Sequence, residues 1–228
     1  ALFTAGVPIH INEKHTYELF FYRYIAGANT LFKGVQKLLP GHYMYVSANG
    51  RTDTTRYWHL GEIAANTKIE GNPYEWFSDR FNSSVKYRMV SDVPVGVLLS
   101  AGLDSTSIAY SLSKQGYKDL NTFTIKFLET HLNEAELAKD FAEKLGYRSH
   151  TLMVEGDLLY ASLVRSIWAN DSPLVHMSEP HLVAIASYSK KYVTVLLSGE
   201  GADEIMGGYV RYKPLKYWRE IKLLSVLL

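Results

Sequence analysis

Between residues 95 and 197 the chain alternates short aliphatic runs with longer amphipathic stretches, and glycines punctuate the joins. Residues 95–99 read as a buried strand, 104–115 as a helix stopped by Gly116, and 122–127 as the next strand. A helix over 134–145 stops at Gly146, and a short strand follows at 149–154. Helices over 158–168 and 180–191 then lead to a strand at 193–197. Strand and helix in alternation predict the α/β class, a parallel sheet with helices on both faces. Ligands of such sheets bind at the carboxyl ends of the strands.

Upstream, residues 31–58 read as β structure, because Tyr43 and Tyr45 precede Asn49-Gly50, a two-residue hairpin signal. Residues 51–57 are the expected return strand. Gly61, Asn66, Gly71 and Asn72 mark a connection over 58–73, where a domain boundary is expected. A short β-rich segment (1–60) thus precedes an α/β domain (72–228). Asn72 is the expected N-cap of a helix that opens on Pro73 and turns Trp76, Phe77, Phe81 and Val85 to one face.

With 24 basic and 23 acidic residues, the formal charge of +1 supplies no broad field for nucleic acid or an anionic membrane. Any phosphate must be held locally. The absence of cysteine excludes disulfides, thiolate zinc sites and a cysteine nucleophile within these residues. No run approaches the roughly 18 apolar residues of a membrane span, and the opening residues lack a signal peptide's basic flank, so a cytoplasmic protein is expected. Residues 221–228 are apolar without a stop signal; they are expected to pack against further sequence, which makes the chain an expected fragment. His176 and His181, five apart, suit no single helix face and read as ordinary histidines. Lys213, Lys216, Arg219 and Lys222 read as a solvated helix face.

Two segments at strand ends carry the chemistry: Ser100-Ala101-Gly102-Leu103-Asp104-Ser105 and Ser198-Gly199-Glu200-Gly201-Ala202-Asp203-Glu204. After Leu99 the chain must turn sharply into a helix, so Gly102 permits close backbone approach. Ser100, Ser105 and free amides then face an anion. The common phosphate loop, G-x-x-x-x-G-K-[ST], does not occur.

The first segment resembles the pyrophosphate loop, S-G-G-x-D-S, of the N-type ATP pyrophosphatases, with Ala101 in place of the first glycine. Asp104 there holds Mg²⁺ on the phosphates or caps the following helix. Residues 196–209, running through Gly207-Gly208-Tyr209, resemble the signature of the asparagine synthetase family. The likeness covers nearly the whole chain: residues 29–45 resemble the tail of that family's glutaminase domain, and residues from 74 onward its synthetase domain.

That resemblance implies an adenine nucleotide alpha hydrolase-like fold with ATP as co-substrate. It puts Leu98, Ile125, Ser198 and Gly199 around ATP, and the pyrophosphate on Ser100, Gly102, Leu103, Asp104 and Ser105. Asp104 and Asp203 share Mg²⁺. Glu200 matches the family's general base, with an ordinary loop acid as the alternative; the role requires tuning by burial and by neighbours such as Asp203 and Glu204. The implied reaction adenylates a small carboxylate, aspartate first, with release of pyrophosphate, after which ammonia displaces AMP. Family members draw ammonia from glutamine with an amino-terminal cysteine, so free ammonia or a separate glutaminase segment is the expected source here.

The family's catalytic lysine, beyond the second motif, has no assigned match before Leu228. Residues 170–178 occupy the place of a D-E-P-x-x-D-P-S stretch and keep Asp171, Pro173 and Ser178. A sister amidotransferase on another carboxylate and a non-catalytic nucleotide-binding remnant both stay open, as does a homo-oligomer.

Overall fold

The computed structural model describes residues 2–127, 134–176 and 178–218. The chain divides into two compact units, Ala1–Trp76 with Leu163–Glu179 and Phe77–Ser162 with Pro180–Leu228. In chain order the elements are α1 (Glu13–Tyr22), β1 (His42–Val46), β2 (Thr52–Arg56), α2 (Leu60–Asn66), α3 (Pro73–Arg88), β3 (Val95–Leu98), α4 (Leu103–Lys114) and β4 (Asn121–Phe127). Then come α5 (Glu134–Lys144), β5 (Arg148–Val154), α6 (Gly156–Asn170), α7 (Glu179–Ser189), β6 (Val195–Leu197), α8 (Ala202–Met206) and a 3₁₀ helix over Val210–Tyr217. The apolar tail at 221–228, with Arg219 and Lys222, lies outside the described residues.

In the first unit β1 and β2 pair antiparallel, with His42 opposite Arg56 and Val46 opposite Thr52. Their connection is longer than the two-residue turn that Asn49-Gly50 suggests. Gly50 takes a left-handed φ of 80° and donates its amide to the Ser47 carbonyl, while the Ser47 amide donates to the Arg51 carbonyl. This is the three-residue hairpin form, and the Asn49 side chain holds it by accepting the Arg51 amide at 3.1 Å. Residues 31–41 are irregular rather than β, with an isolated bridge between Asn29 and Gln36. Pro40 has no amide to donate, and Gly34 and Gly41 sit at positive φ, which breaks any ladder.

The second unit holds a four-stranded sheet in the order β5-β4-β3-β6, and every pairing is parallel. Its strands alternate faces with period two. Val95 and Val97 pack with Val85 of α3, Leu112 of α4 and Leu197, and Leu99 joins Ala109, Ala138 and Ala142 under α4 and α5. Leu98, Phe123 and Ile125 turn to the opposite face, against Ile185 of α7 and Val193. Helices therefore cover both faces, as the alternation predicts. α3 opens as its sequence requires: the Asn72 side chain accepts the Tyr74 amide at 2.9 Å, with Pro73 at the first helical position.

Gly96 leaves room for the Phe123 ring against β3. A Cβ there would fall 2.8 Å from Phe123 Cε2 and 2.9 Å from the Asn121 carbonyl oxygen. Gly96→Ala is expected to cost about 1–3 kcal/mol, the usual cost of overpacking a close-packed core. Urea unfolding at an unchanged midpoint would show that the ring does not occupy that space.

The chain builds β3, β4 and β5 in one direction across the sheet, then returns through α6 and α7 to place β6 on the other side of β3. The strand order reverses between β3 and β6. Loops leaving neighbouring strands diverge at such a point and open a crevice.

Candidate active site

Parallel pairing sets Val97 opposite Leu197, so both chains leave the sheet at one level. Beyond β3, Leu99 is still tied to β4: its amide donates to the Phe123 carbonyl at 2.9 Å, and its carbonyl accepts the Thr124 hydroxyl at 2.8 Å. The chain then turns through Ser100, Ala101 and Gly102 into α4. Ser105, buried, braces the turn by accepting the Ser100 amide at 3.0 Å, while the Ser100 hydroxyl accepts the Gly102 amide at 3.1 Å. The first-turn amides of α4 have no carbonyl within the helix to receive them, which suits an anion.

The loop after β6 meets this turn. Gly199 lies against α4 so closely that a Cβ would fall 2.9 Å from Asp104 Cβ and 3.2 Å from the Ser105 amide nitrogen. Gly201, at a φ of 91°, then leads into α8. The two motifs, about a hundred residues apart, form a single wall.

A cavity of about 380 Å³ opens there. Leu98, Ser100, Gly102, Asp104, Ser105, Ile125, Ser198, Gly199, Glu200 and Asp203 all line it, so the structure brings together every site residue expected from sequence except one. Leu103, placed at the pyrophosphate by the resemblance, is 80% exposed and does not line the cavity. As the first residue of α4 it is turned outward by the helix. Thr124, Phe127, Leu182, Ile185, Glu134, Glu204 and Tyr209 also line the cavity without having been assigned. Leu182 and Ile185 carried a usable signal, since residues three apart on α7 share a face.

The charge on this wall is one-sided. Asp104, Glu134, Glu200, Asp203 and Glu204 contribute carboxylates, and among the described residues no lysine, arginine or histidine lines the cavity. Lys213 and Lys216, on the 3₁₀ helix, are not lining residues. Among the described residues no three His, Cys, Asp or Glu side chains cluster as a metal site by themselves. Glu204 accepts the Tyr209 hydroxyl at 2.7 Å, and this bond holds its carboxyl below the usual range while pushing the Tyr209 phenol up.

The segment around residues 170–178 belongs to the first unit. Asp171 there adopts a left-handed φ of 52°, and Glu179 accepts the Asn170 side-chain amide at 2.6 Å and the His176 backbone amide at 3.0 Å. Met177 lies outside the described residues. A separate, largely apolar cavity of about 470 Å³ also lies in this unit, against Leu19, Ile25, Leu31, Phe32 and Val175.

Comparison with known proteins gives a consistent answer. The chain is 31% identical over 213 residues to asparagine synthetase [glutamine-hydrolyzing] 1 of Bacillus subtilis, covering 93% of this chain and 33% of that protein. It is 29% identical over 204 residues to the amidase chyE of Penicillium rubens, covering 82% and 30% respectively. The chain thus spans about a third of the length of the curated relatives it matches. Among solved structures, an NH3-dependent NAD synthetase from Campylobacter jejuni overlays at a TM-score of 0.44 with 13% identity, over 60% of this chain and 61% of that one. The fold rests on the sheet order above rather than on that loose overlay. The asparagine synthase family model matches residues 77–226, a stretch that includes both motifs and the whole parallel sheet. The chain belongs to the asparagine synthase family.

Proposed function

We propose that this chain carries the adenylating site of an ATP-dependent, amide-forming ligase. A carboxylate oxygen attacks the α-phosphorus of ATP, the bond to the β-phosphate bridging oxygen breaks, and pyrophosphate leaves. Ammonia then attacks the carbonyl carbon of the acyl-adenylate, AMP departs, and one proton is lost from nitrogen. Adenylation replaces a poor leaving group with a good one.

The observation that carries this reading is the meeting of both motifs on one cavity, with Gly199 packed on Asp104 at the reversal of strand order. The first-turn amides of α4 and Ser100 are the anion cradle for the departing pyrophosphate. Leu98 and Ile125 offer an apolar flank for the purine, beside Ser198 and Gly199. Glu200 stands at the exposed edge of the same wall, where it can take the proton lost by ammonia.

The donor set suits Mg²⁺, which takes one or two carboxylates and completes its shell with phosphate oxygens and water. Asp104 and Asp203 are the two candidates, and the carboxylates of the described wall otherwise repel a polyphosphate. When bound, the cation neutralises charge on the departing pyrophosphate.

Product analysis tests the reading. Intact protein given Mg²⁺, ammonia and ATP labelled at the α-phosphate is expected to form AMP and pyrophosphate only when a carboxylate is added. Oxygen-18 in that carboxylate should appear in AMP. Formation of ADP would overturn the assignment.

Aspartate is the first carboxylate to try, and a different carboxylate is the second reading. Residues 170–178 keep only Asp171, Pro173 and Ser178 of the stretch that they resemble. AMP release with other amino or peptide carboxylates, and none with aspartate, would decide for the second.

A further inference from the structure

The chain leaving α8 reverses at once. Gly207 takes a left-handed φ of 69°, and the Gly208 amide donates back to the Asp203 carbonyl at 3.0 Å. A Cβ at 208 would fall 1.9 Å from Asp203 Oδ1, so any side chain there would have to displace that carboxylate. This backbone therefore lies directly on the Asp203 carboxylate.

The reversal brings Tyr209 back over α8, where its hydroxyl donates to Glu204 Oε1 at 2.7 Å. The Arg211 guanidinium carbon sits 4.0 Å from the centre of the Tyr209 ring, and Tyr212 meets that ring edge-on at 5.5 Å. Of the five wall carboxylates, Glu204 is the one whose side chain accepts a hydrogen bond from another side chain among the described residues. A hydrogen bond to an ionised carboxylate is among the stronger kinds, and it fixes direction as well as distance.

We propose that Tyr209, steadied by Arg211, is a positioning residue: by tethering Glu204 it keeps the Gly207–Tyr209 reversal pressed on Asp203 and so fixes the Asp203 carboxylate. The tether also withdraws Glu204 from competition for the cation. This inference rests on the reading of the cavity as a Mg-ATP site. Tyr209 lines the cavity, but its hydroxyl is engaged by Glu204, and as a positioning residue it makes no direct bond to phosphate or cation. Its effect reaches the site through Glu204 and the glycine pair, as partners behind metal ligands commonly do.

The test reads cation affinity rather than turnover. Intact protein is titrated with Mg²⁺ at fixed α,β-methylene-ATP, and nucleotide binding is followed by calorimetry. Tyr209→Phe is expected to raise the Mg²⁺ concentration for half-saturation about tenfold, the lower end for loss of a partner behind a metal ligand. Nucleotide affinity at saturating Mg²⁺ and the melting temperature should stay within about twofold and a few degrees of the parent. Arg211→Ala should shift the midpoint the same way by about threefold, the worth of an exposed cation–π contact, and Arg211→Lys should restore it.

Combining Tyr209→Phe with Glu204→Leu should cost no more than either change alone, because both cut one tether. An unchanged midpoint in Tyr209→Phe, or additive losses in the double variant, overturns the positioning role while leaving the site reading intact. A parent protein that binds no nucleotide at any Mg²⁺ concentration overturns the site reading itself. Arg211 stands outside the cavity, so its variants decide the matter even if Tyr209→Phe folds poorly.

Discussion

Gly199→Ala is expected to weaken nucleotide binding at least tenfold while leaving the sheet folded. The added Cβ would stand 2.9 Å from Asp104 Cβ and 3.2 Å from the Ser105 amide nitrogen, and neither atom is the free end of a flexible side chain. The β6 loop and the first turn of α4 must then move apart. That separation disturbs the first-turn amides and Asp104 together, and every 1.4 kcal/mol of lost interaction is about tenfold in affinity. Gly156→Ala is the control, since a Cβ at 156 meets nothing within 4 Å. Calorimetry with a non-hydrolysable ATP analogue reads the effect. Equal affinity in parent and Gly199→Ala would mean that the two motifs do not share a ligand.

Removal of divalent cations is expected to have a still larger effect, at least a hundredfold loss of ATP affinity in excess EDTA. Among the described residues five carboxylates and no basic side chain line the cavity, so a polyphosphate entering alone meets charge of its own sign. At about 5 Å and an effective dielectric of about 20, each like-charge pair costs about 3 kcal/mol before screening. The α4 amides offset part of this, because a helix start carries only about half a positive charge. A bound divalent cation reverses the balance. Monovalent salt at matched ionic strength should not restore binding, since screening weakens repulsion without supplying an attractive centre. Affinity unchanged by EDTA would remove both the assigned cation and the electrostatic account of the wall.

Local chemistry made much of this fold legible. Gly116 and Gly146 end α4 and α5 where a left-handed residue is needed, at φ values of 86° and 74°, and Asn72-Pro73 opens α3. The helices that escaped notice lack the pattern by which helices are recognised. α1 exposes Tyr17, Phe20, Phe21 and Tyr22 while burying Leu19, so its aromatic residues form no single inward stripe. α2 buries nothing and contains Gly61, which makes it read as connection.

At the candidate site, residue type pointed to the turn at residues 100–105, whereas orientation stayed hidden. Nothing in the string Gly102-Leu103-Asp104 says that the helix turns Leu103 away and Asp104 inward. Strand order was equally silent. Val95 and Val195 are neighbours across β3 and β6 only because the chain crosses back over the sheet. The one-sided charge of the cavity emerged from that crossing, since Glu134 and Glu204 come from helices far apart in sequence.

The late return of β6 to β3 also bears on how the protein acquires its site. Contacts between strands about a hundred residues apart form slowly, because a long loop must close before they repay its entropy. A chain that has built β3, β4 and β5 therefore has the turn proposed to hold phosphate but no opposing wall. Binding competence arrives with the final strand. A ligand that bridges the α4 turn and the β6 loop then favours the completed sheet by mass action, by about 2.7 kcal/mol at a hundred times its dissociation constant. If the proposed nucleotide bridges these two loops, it also acts as a folding clamp, and refolding in its presence should trap the last strand in place.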